Sequence, residues 1–181
     1  MKNAISISLI IFCIIFSSNQ CKNKSLMSKE IIVKSKSFID GGMIPSKYTC
    51  DGANVSPQIS WENIPEGTKS LALICDDPDA PMGTFVHWVL YDIPPMIKEL
   101  PENILPEKIL PSGAKHGVND FRKYGYGGPC PPSGTHRYYF KLYALDTMLN
   151  LEPGKKKAEL LKEIEGHIIA QGQIMGKYSR N

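Results

Sequence analysis

The sequence predicts a mostly β (α+β) domain: a Greek-key β-sheet fold with a C-terminal helix. Three observations carry this expectation. Short runs rich in β-branched and aromatic residues are punctuated by Gly, Pro, Asn and Asp. Glycine and proline are abundant, at 15 and 14 of 181 residues, which argues against an all-helical chain. Helical periodicity appears once, near the C-terminus. A chain of this length supports one domain with a hydrophobic core. The formal net charge is +3, and the lysines are scattered instead of interleaving with aromatics in a stripe. Nucleic acid is therefore not an expected partner.

The first element is a leader. Lys2 precedes an apolar run from Ala4 to Phe16, and Ser17 to Gln20 make a polar exit. That run is too short to span a membrane comfortably, so residues 1–20 are expected to be a signal peptide for export. Cys21 then stands where a lipoprotein carries its lipidated residue, although Asn19 and Gln20 are larger than such a site usually has. Plain cleavage is the alternative. Residues 21–30 read as a polar tether and 31–181 as the domain. The protein is thus expected in a bacterial envelope, periplasmic or held to the membrane only through the lipid.

Strands are expected near 31–38, 57–61, 69–75, 85–92 and 137–145. Between the last two lies a Pro/Gly-rich excursion, 93–134, too long for a hairpin. A helix is expected from Lys155 to about Gln171, with Leu160, Leu161, Ile164 and Ile168 on one face. Pro153 suits its start and Gly172 its end, with Gly166 inside as a mark of close packing. Beyond the leader, Cys75 ends an apolar run and reads as a small buried hydrophobe. Cys50 and Cys130 sit in turn-like segments, and an exported protein could pair them in a disulfide.

Three clusters could carry chemistry. In "CDDPDAP", 75–81, an apolar strand runs into three carboxylates, a pattern that also suits an ordinary acidic turn. In "FVHWVLYDIP", 85–94, strict alternation groups Phe85, His87, Val89 and Tyr91 on one face and Val86, Trp88, Leu90 and Asp92 on the other. Both faces are largely apolar, so His87 is expected to be buried. In "GGPCPPSGTHRYYF", 127–140, a stiff loop breaks into a strand that sets His136, Tyr138, Phe140 and Leu142 on one face.

Together, "DDPDAP", "VHW", "GYGGPCPPSGTHRYYFKLYALD" and "KAELLKEIEGHIIAQGQIMGKYSR" resemble the phosphatidylethanolamine-binding protein family, in particular its bacterial Raf-kinase-inhibitor-like branch. "YTCDGANVSPQISW", 48–61, resembles the entry segment of that branch, and the resemblance runs from about residue 31 to the end. It implies a large central sheet flanked by a smaller sheet and a helix. It also implies a small pocket for anionic groups such as phosphate or a phospholipid head group. By motif, Asp77 and Asp79 match the pocket carboxylates, Pro81 its proline and His87 the histidine of the next strand. Gly128 and Pro129 match the pocket wall, with His136 and Tyr138 as its polar contacts. Imidazoles, a phenol and backbone N–H groups near a Gly turn all suit an oxyanion. Carboxylates beside a phosphate repel it, so either a proton is shared or an aspartate holds a cationic ammonium.

Two departures limit the resemblance. Only Met82 to Thr84 separate the D-P-D-A-P element from Phe85, a shorter link than in eukaryotic members, and Cys130 stands where those have proline. Catalysis is not expected. Cys130 lies between prolines with no helix N-terminus to activate it, and no G-x-S-x-G elbow occurs. No H-x-x-x-H or C-x-x-C spacing suggests a metal, and no cofactor is implied. The expected protein is a non-enzymatic binder of a small phosphorylated or other anionic ligand. The alternative is an envelope interaction protein, protease- or kinase-inhibitor-like, whose protein partner the residues leave unidentified.

Overall fold

The computed structural model describes residues 30–180. The expected leader, the Cys21 lipidation site and most of the tether lie outside the described residues. Eight strands and one helix follow in chain order: β1 (Ile32–Lys34), β2 (Ile59–Glu62), β3 (Ser70–Asp77), β4 (Phe85–Ile93), β5 (Glu99–Leu100), β6 (Lys115–His116), β7 (Thr135–Leu145), α1 (Lys157–Ile164) and β8 (Ile168–Ser179). A three-stranded sheet has the order β1-β2-β5, and a five-stranded sheet the order β6-β4-β3-β7-β8, antiparallel throughout.

β3 is central and buried at every position, which its unbroken run Ser-Leu-Ala-Leu-Ile-Cys requires. Its alternate residues serve two cores. Leu71, Leu73 and Cys75 pack with Trp61, Ile59 and Leu100 of the small sheet. Ala72 and Ile74 pack with Leu160 and Ile164 of α1. The layers are therefore small sheet, large sheet and helix, as expected. The 93–134 excursion contributes only the short β5 and β6 before β7 returns beside β3.

The helix is shorter than expected, and a strand takes its second half. α1 ends at Ile164, and Gly166 turns the chain with φ +81°. No atom lies within 4 Å of where its Cβ would be, so Gly166 serves a left-handed turn and not close packing. From Ala170 the burial alternates through Ile174, Gly176 and Tyr178, a period of two that no helix can satisfy. Ile168 is 40 % exposed instead of facing the helix core. Gly172 is not a helix end but lies mid-strand, against the Ile31 carbonyl. The pairing with β7 from Thr135–Ser179 to Leu145–Ile168 gives these residues more than a longer glycine-containing helix could. The other edge of β8 is covered, as its carbonyls at Gln171, Met175 and Lys177 accept from Ile31, Gly41 and Ile44.

Strict alternation also fails in β4. Cys75 pairs Trp88 but Asp76 pairs Val86, so His87 sits in a bulge. The bulge removes His87 from the face of Val89 and Tyr91 and sets it beside Tyr138, ring centroids 5.1 Å apart. His87 is 2 % exposed, buried as expected. Cys50 and Cys130 form a disulfide with Cα atoms 5.4 Å apart, and Cys75 is a buried free thiol.

A second imidazole is buried behind β4. The Nδ1 of His116 donates to the Glu107 carbonyl at 2.6 Å, leaving Nε2 as an acceptor with no partner among the described residues. Burial holds its pKa below 6.5, and the same cause lowers that of His87. The unfolded chain therefore binds more protons than the fold once pH drops below 6.5. This contribution to stability is complete above pH 6.5 and declines as pH falls toward the folded pKa values. The slope is at most about 1.4 kcal/mol per pH unit for each histidine. His116→Gln keeps a donor for Glu107 without a titrating group. Its urea midpoint should fall less steeply than the parent's between pH 7.5 and 5.5, and identical slopes would refute the assignment.

Candidate functional site

At the ends of β3, β4 and β7 lies a cavity of about 270 Å³, lined by Asp77, Ala80, Pro81, Phe85, His87, Phe121, Cys130, Pro131, Pro132 and His136. A depression of about 600 Å³ on the far face of β7 and β8, lined by Lys141, Tyr143, Gln171 and Gln173, is larger. It holds no histidine and no buried carboxylate. The smaller cavity is where buried titratable groups from three strands converge, and it is the candidate.

Each histidine is held by one ring nitrogen. His87 Nδ1 lies 2.6 Å from the Gly127 carbonyl, and Gly127 N donates back to the His87 carbonyl at 2.9 Å. A carbonyl oxygen only accepts, so Nδ1 carries the proton and the neutral ring leaves a lone pair on Nε2. Neutrality follows from burial, which outweighs the carbonyl of Gly127 and the nearby Asp77 and Asp120. His136 Nδ1 donates to Asp77 Oδ2 at 2.7 Å, in a pair almost wholly withdrawn from solvent. Neither Nε2 has a hydrogen-bond partner among the described residues.

Asp77 is fixed twice, because its Oδ1 also accepts from Asp79 N at 2.8 Å. That contact folds the D-P-D segment into an Asx turn at the strand end. Asp79 itself is tied elsewhere. Its carboxylate accepts from the Arg137 backbone N at 2.9 Å and from the guanidinium at 2.8 and 2.6 Å. The Arg137 hydrogen bonds hold the Asp79 pKa down, to about 2.

Of the expected site residues, Asp77, Pro81, His87 and His136 line the cavity. Asp79 does not; it faces Arg137 at the rim. Tyr138 is fully buried below the lining, its hydroxyl unpartnered among the described residues. Burial first, then the Asp77 charge, pushes that phenol well above its ordinary range. Gly128 and Pro129 are not among the residues that line this cavity. Gly128 N donates to Asn54 Oδ1 at 2.7 Å, and Pro129 O accepts from Cys50 N at 3.0 Å, so both are turned toward the 48–54 segment. The wall facing the cavity is one step further along, at Cys130, Pro131 and Pro132. A rigid proline run fixes its own direction, but which of its residues faces inward depends on what Gly128 packs against.

Sequence reasoning missed Phe85 and Phe121 as lining residues and Arg137 as the partner of Asp79. Phe85, Phe121 and His87 form a tilted triad, with centroids 4.8 to 5.4 Å apart. Phe121 sits far from any motif, brought in by the Asp120 carboxylate, which accepts from Val86 N at 2.7 Å. Arg137 was readable only as the outward neighbour of His136.

The surroundings of Gly128 make a sharp prediction. A Cβ there would lie 2.5 Å from the Tyr48 carbonyl oxygen and 2.8 Å from the Thr49 Cα, both backbone atoms that cannot swing aside. Gly128→Ala should destabilise the protein by about 1–3 kcal/mol through overpacking, read as a lower urea midpoint. Unchanged stability would mean that Gly128 does not pack against this segment.

The sequence model of a family described as phosphatidylethanolamine-binding protein matches residues 34–179. A UPF0098 protein of Methanothermobacter thermautotrophicus is 53 % identical over 148 residues, 82 % of this chain and 98 % of its own length. One from Aquifex aeolicus is 53 % identical over 152 residues, 82 % of this chain and 88 % of its own. Among solved structures, a phosphatidylethanolamine-binding protein homologue from Chlamydia trachomatis superposes with a TM-score of 0.78 at 39 % identity, covering 84 % of this chain and 99 % of that one. The Escherichia coli protein YbcL, described as a new member of the mammalian family, superposes at 0.77 with 34 % identity over the same shares.

Proposed function

The chain belongs to the phosphatidylethanolamine-binding protein family, and from that premise we propose that it is a non-enzymatic binding protein for a small phosphorylated or other anionic group. The observation that carries this is the pair of imidazoles in one cavity, each anchored through Nδ1 with no partner on Nε2. An oxyanion bearing one proton donates to a neutral imidazole and accepts from a protonated one, so the pair fits a monoprotonated phosphate. Asp77 is the one carboxylate in the lining, since Asp79 is neutralised by Arg137. Asp77 fixes the ring of His136 through Nδ1, and it also offers a counter-charge for an ammonium on the same ligand.

The collar of Phe85, Phe121, Pro81, Pro131 and Pro132 is apolar. It suits the carbon skeleton next to a head group, while about 270 Å³ is too little for long acyl chains. Catalysis finds no support here. The cavity's cysteine is oxidised, and the free thiol of Cys75 is buried with its pKa pushed up by desolvation. The disulfide is the chemistry of an oxidising compartment, which supports the export expected from the leader.

The phosphate dianion of alkaline solution must take up a proton before it can donate to His87, whose ring burial holds neutral. Titration calorimetry with inorganic phosphate and with phosphoethanolamine should therefore show tighter binding at pH 6 than at pH 8, with net proton uptake. Asp77, Asp120, His136 and Tyr138 are the groups around that ring and set how steep the change is. His136→Ala should weaken binding roughly 10- to 100-fold, the value of a hydrogen bond to a charged group. Equal affinity in the variant, or no pH dependence in the parent, would count against the reading.

A further inference from the structure

One wall of the cavity is held differently from the rest. Asp77, His87 and His136 stand on β3, β4 and β7, inside the ladder of the large sheet. The opposite wall is the connection leading into β7. Its first half is fastened to the 48–54 segment: Tyr126 donates its hydroxyl to the Tyr48 carbonyl, Gly128 N to Asn54 Oδ1, and Cys50 N to the Pro129 carbonyl. Past Pro129 the hydrogen bonds stop. Among the described residues, none ties 130–134 to the rest of the fold. Pro131 and Pro132 have no N–H to offer, and Gly134 sits at φ +71°. The disulfide from Cys130 to Cys50 is the one covalent brace on this stretch before β7 begins at Thr135. Cys130, Pro131 and Pro132 are nonetheless three of the residues that line the cavity. Both cysteines are exposed, so a reductant reaches the bond without the protein unfolding.

We propose that the Cys50–Cys130 disulfide is a redox gate on the anion cavity: oxidised, it holds the 130–134 wall against the histidines; reduced, it frees that wall and ligand affinity falls. This rests on the anion-binding reading above. The chemistry is two-electron thiol–disulfide exchange with a dithiol. A thiolate of the dithiol attacks one sulfur, the S–S bond breaks, and the other cysteine leaves as a thiolate that takes a proton. The second thiol of the reductant resolves the mixed disulfide. The protein ends with two thiols and the reductant with a disulfide. No residue of 130–134 belongs to either hydrophobic cluster, so freeing the stretch removes none of their members. Reduction therefore acts on the preorganisation of the site, and preorganisation sets how much of the contact energy appears as affinity.

The experiment uses the folded protein beginning at Lys22, oxidised, then reduced in place with dithiothreitol, beside the double variant Cys50→Ser/Cys130→Ser. Circular dichroism verifies the fold, calorimetry measures inorganic phosphate, and hydrogen exchange is read at Cys50 and Gly128, whose amides are hydrogen-bonded across the brace. Reduction should weaken phosphate binding about ten-fold and speed exchange at those two amides, leaving the β3 amides protected. The double variant should match the reduced parent; if it fails to fold, the parent reduced in place decides alone. Equal phosphate affinity in oxidised and reduced protein overturns the gate while leaving anion binding intact. If oxidised protein binds no phosphate, the anion reading falls, and with it the gate as a control on that ligand. Exchange at Cys50 and Gly128 that does not respond to reduction overturns the gate in every case.

Discussion

Two consecutive carboxylates at the end of a fully buried strand govern this molecule. β3 delivers Asp76 and Asp77 into the protein with side chains 0 % and 4 % exposed, and adjacent residues of a strand point to opposite faces. Each face must compensate its own charge. On the helix side, Asp76 accepts from Lys141 at 2.8 and 3.0 Å and from Lys157, the first residue of α1. On the other side, Asp77 accepts from His136 and from the turn that follows it. A buried carboxylate stripped of its partners would cost several kcal/mol. One dipeptide thus fastens the helix to the back of the sheet and orients a histidine at its front. The same β7 strand supplies both partners, Lys141 outward and His136 inward, so the register of β7 on β3 sets both at once.

That coupling also bears on the proposed binding of an anion at a site with so many acidic residues. The acid-rich "DDPDAP" looks repulsive as a string of letters. In space its three charges are separated by strand geometry and by the Asx turn. Asp76 is on the far face, Asp79 is neutralised by a bidentate arginine, and Asp77 alone reaches the lining. What remains at the cavity is one carboxylate against two imidazoles, and those imidazoles have their orientation fixed before any ligand arrives.

Much of this could be read from the residues. The long strands β3, β4 and β7 of the large sheet, the inward face His136–Tyr138–Phe140–Leu142, the burial of His87 and the pairing of Cys50 with Cys130 follow from alternation, from a run of β-formers and from turn chemistry. What could not be read depended on partners distant in sequence. The apolar spacing Leu160–Ile164–Ile168 is helical, and only the waiting edge of β7 turns its last member into a strand residue. The bulge at His87 arises between β3 and β4, so no pattern within β4 reveals it. Which residues of the Pro-rich loop line the cavity depends on the direction of Gly128, set by Tyr48, Thr49 and Asn54. Phe121 enters the lining through a hydrogen bond to Val86 made by its neighbour Asp120.

The division between what was legible and what was not matches a physical division in the site. Residues on strands are fixed by ladders whose alternation shows in the sequence, and they carry the polar chemistry: Asp77, His87 and His136. Residues on the connection between β6 and β7 are fixed by individual side-chain anchors, which leave no periodic trace, and they give the cavity its apolar shape. Relatives that keep the strands can therefore share the polar floor while differing in the wall, where a changed anchor at Asn54 or Cys50 would move prolines without disturbing a single ladder bond. Under the anion-binding proposal, ligand choice is expected to vary with the wall and affinity for the anionic group with the floor. On that proposal, a floor fixed by ladders and a separately anchored wall would let one scaffold hold the same small group in different surroundings.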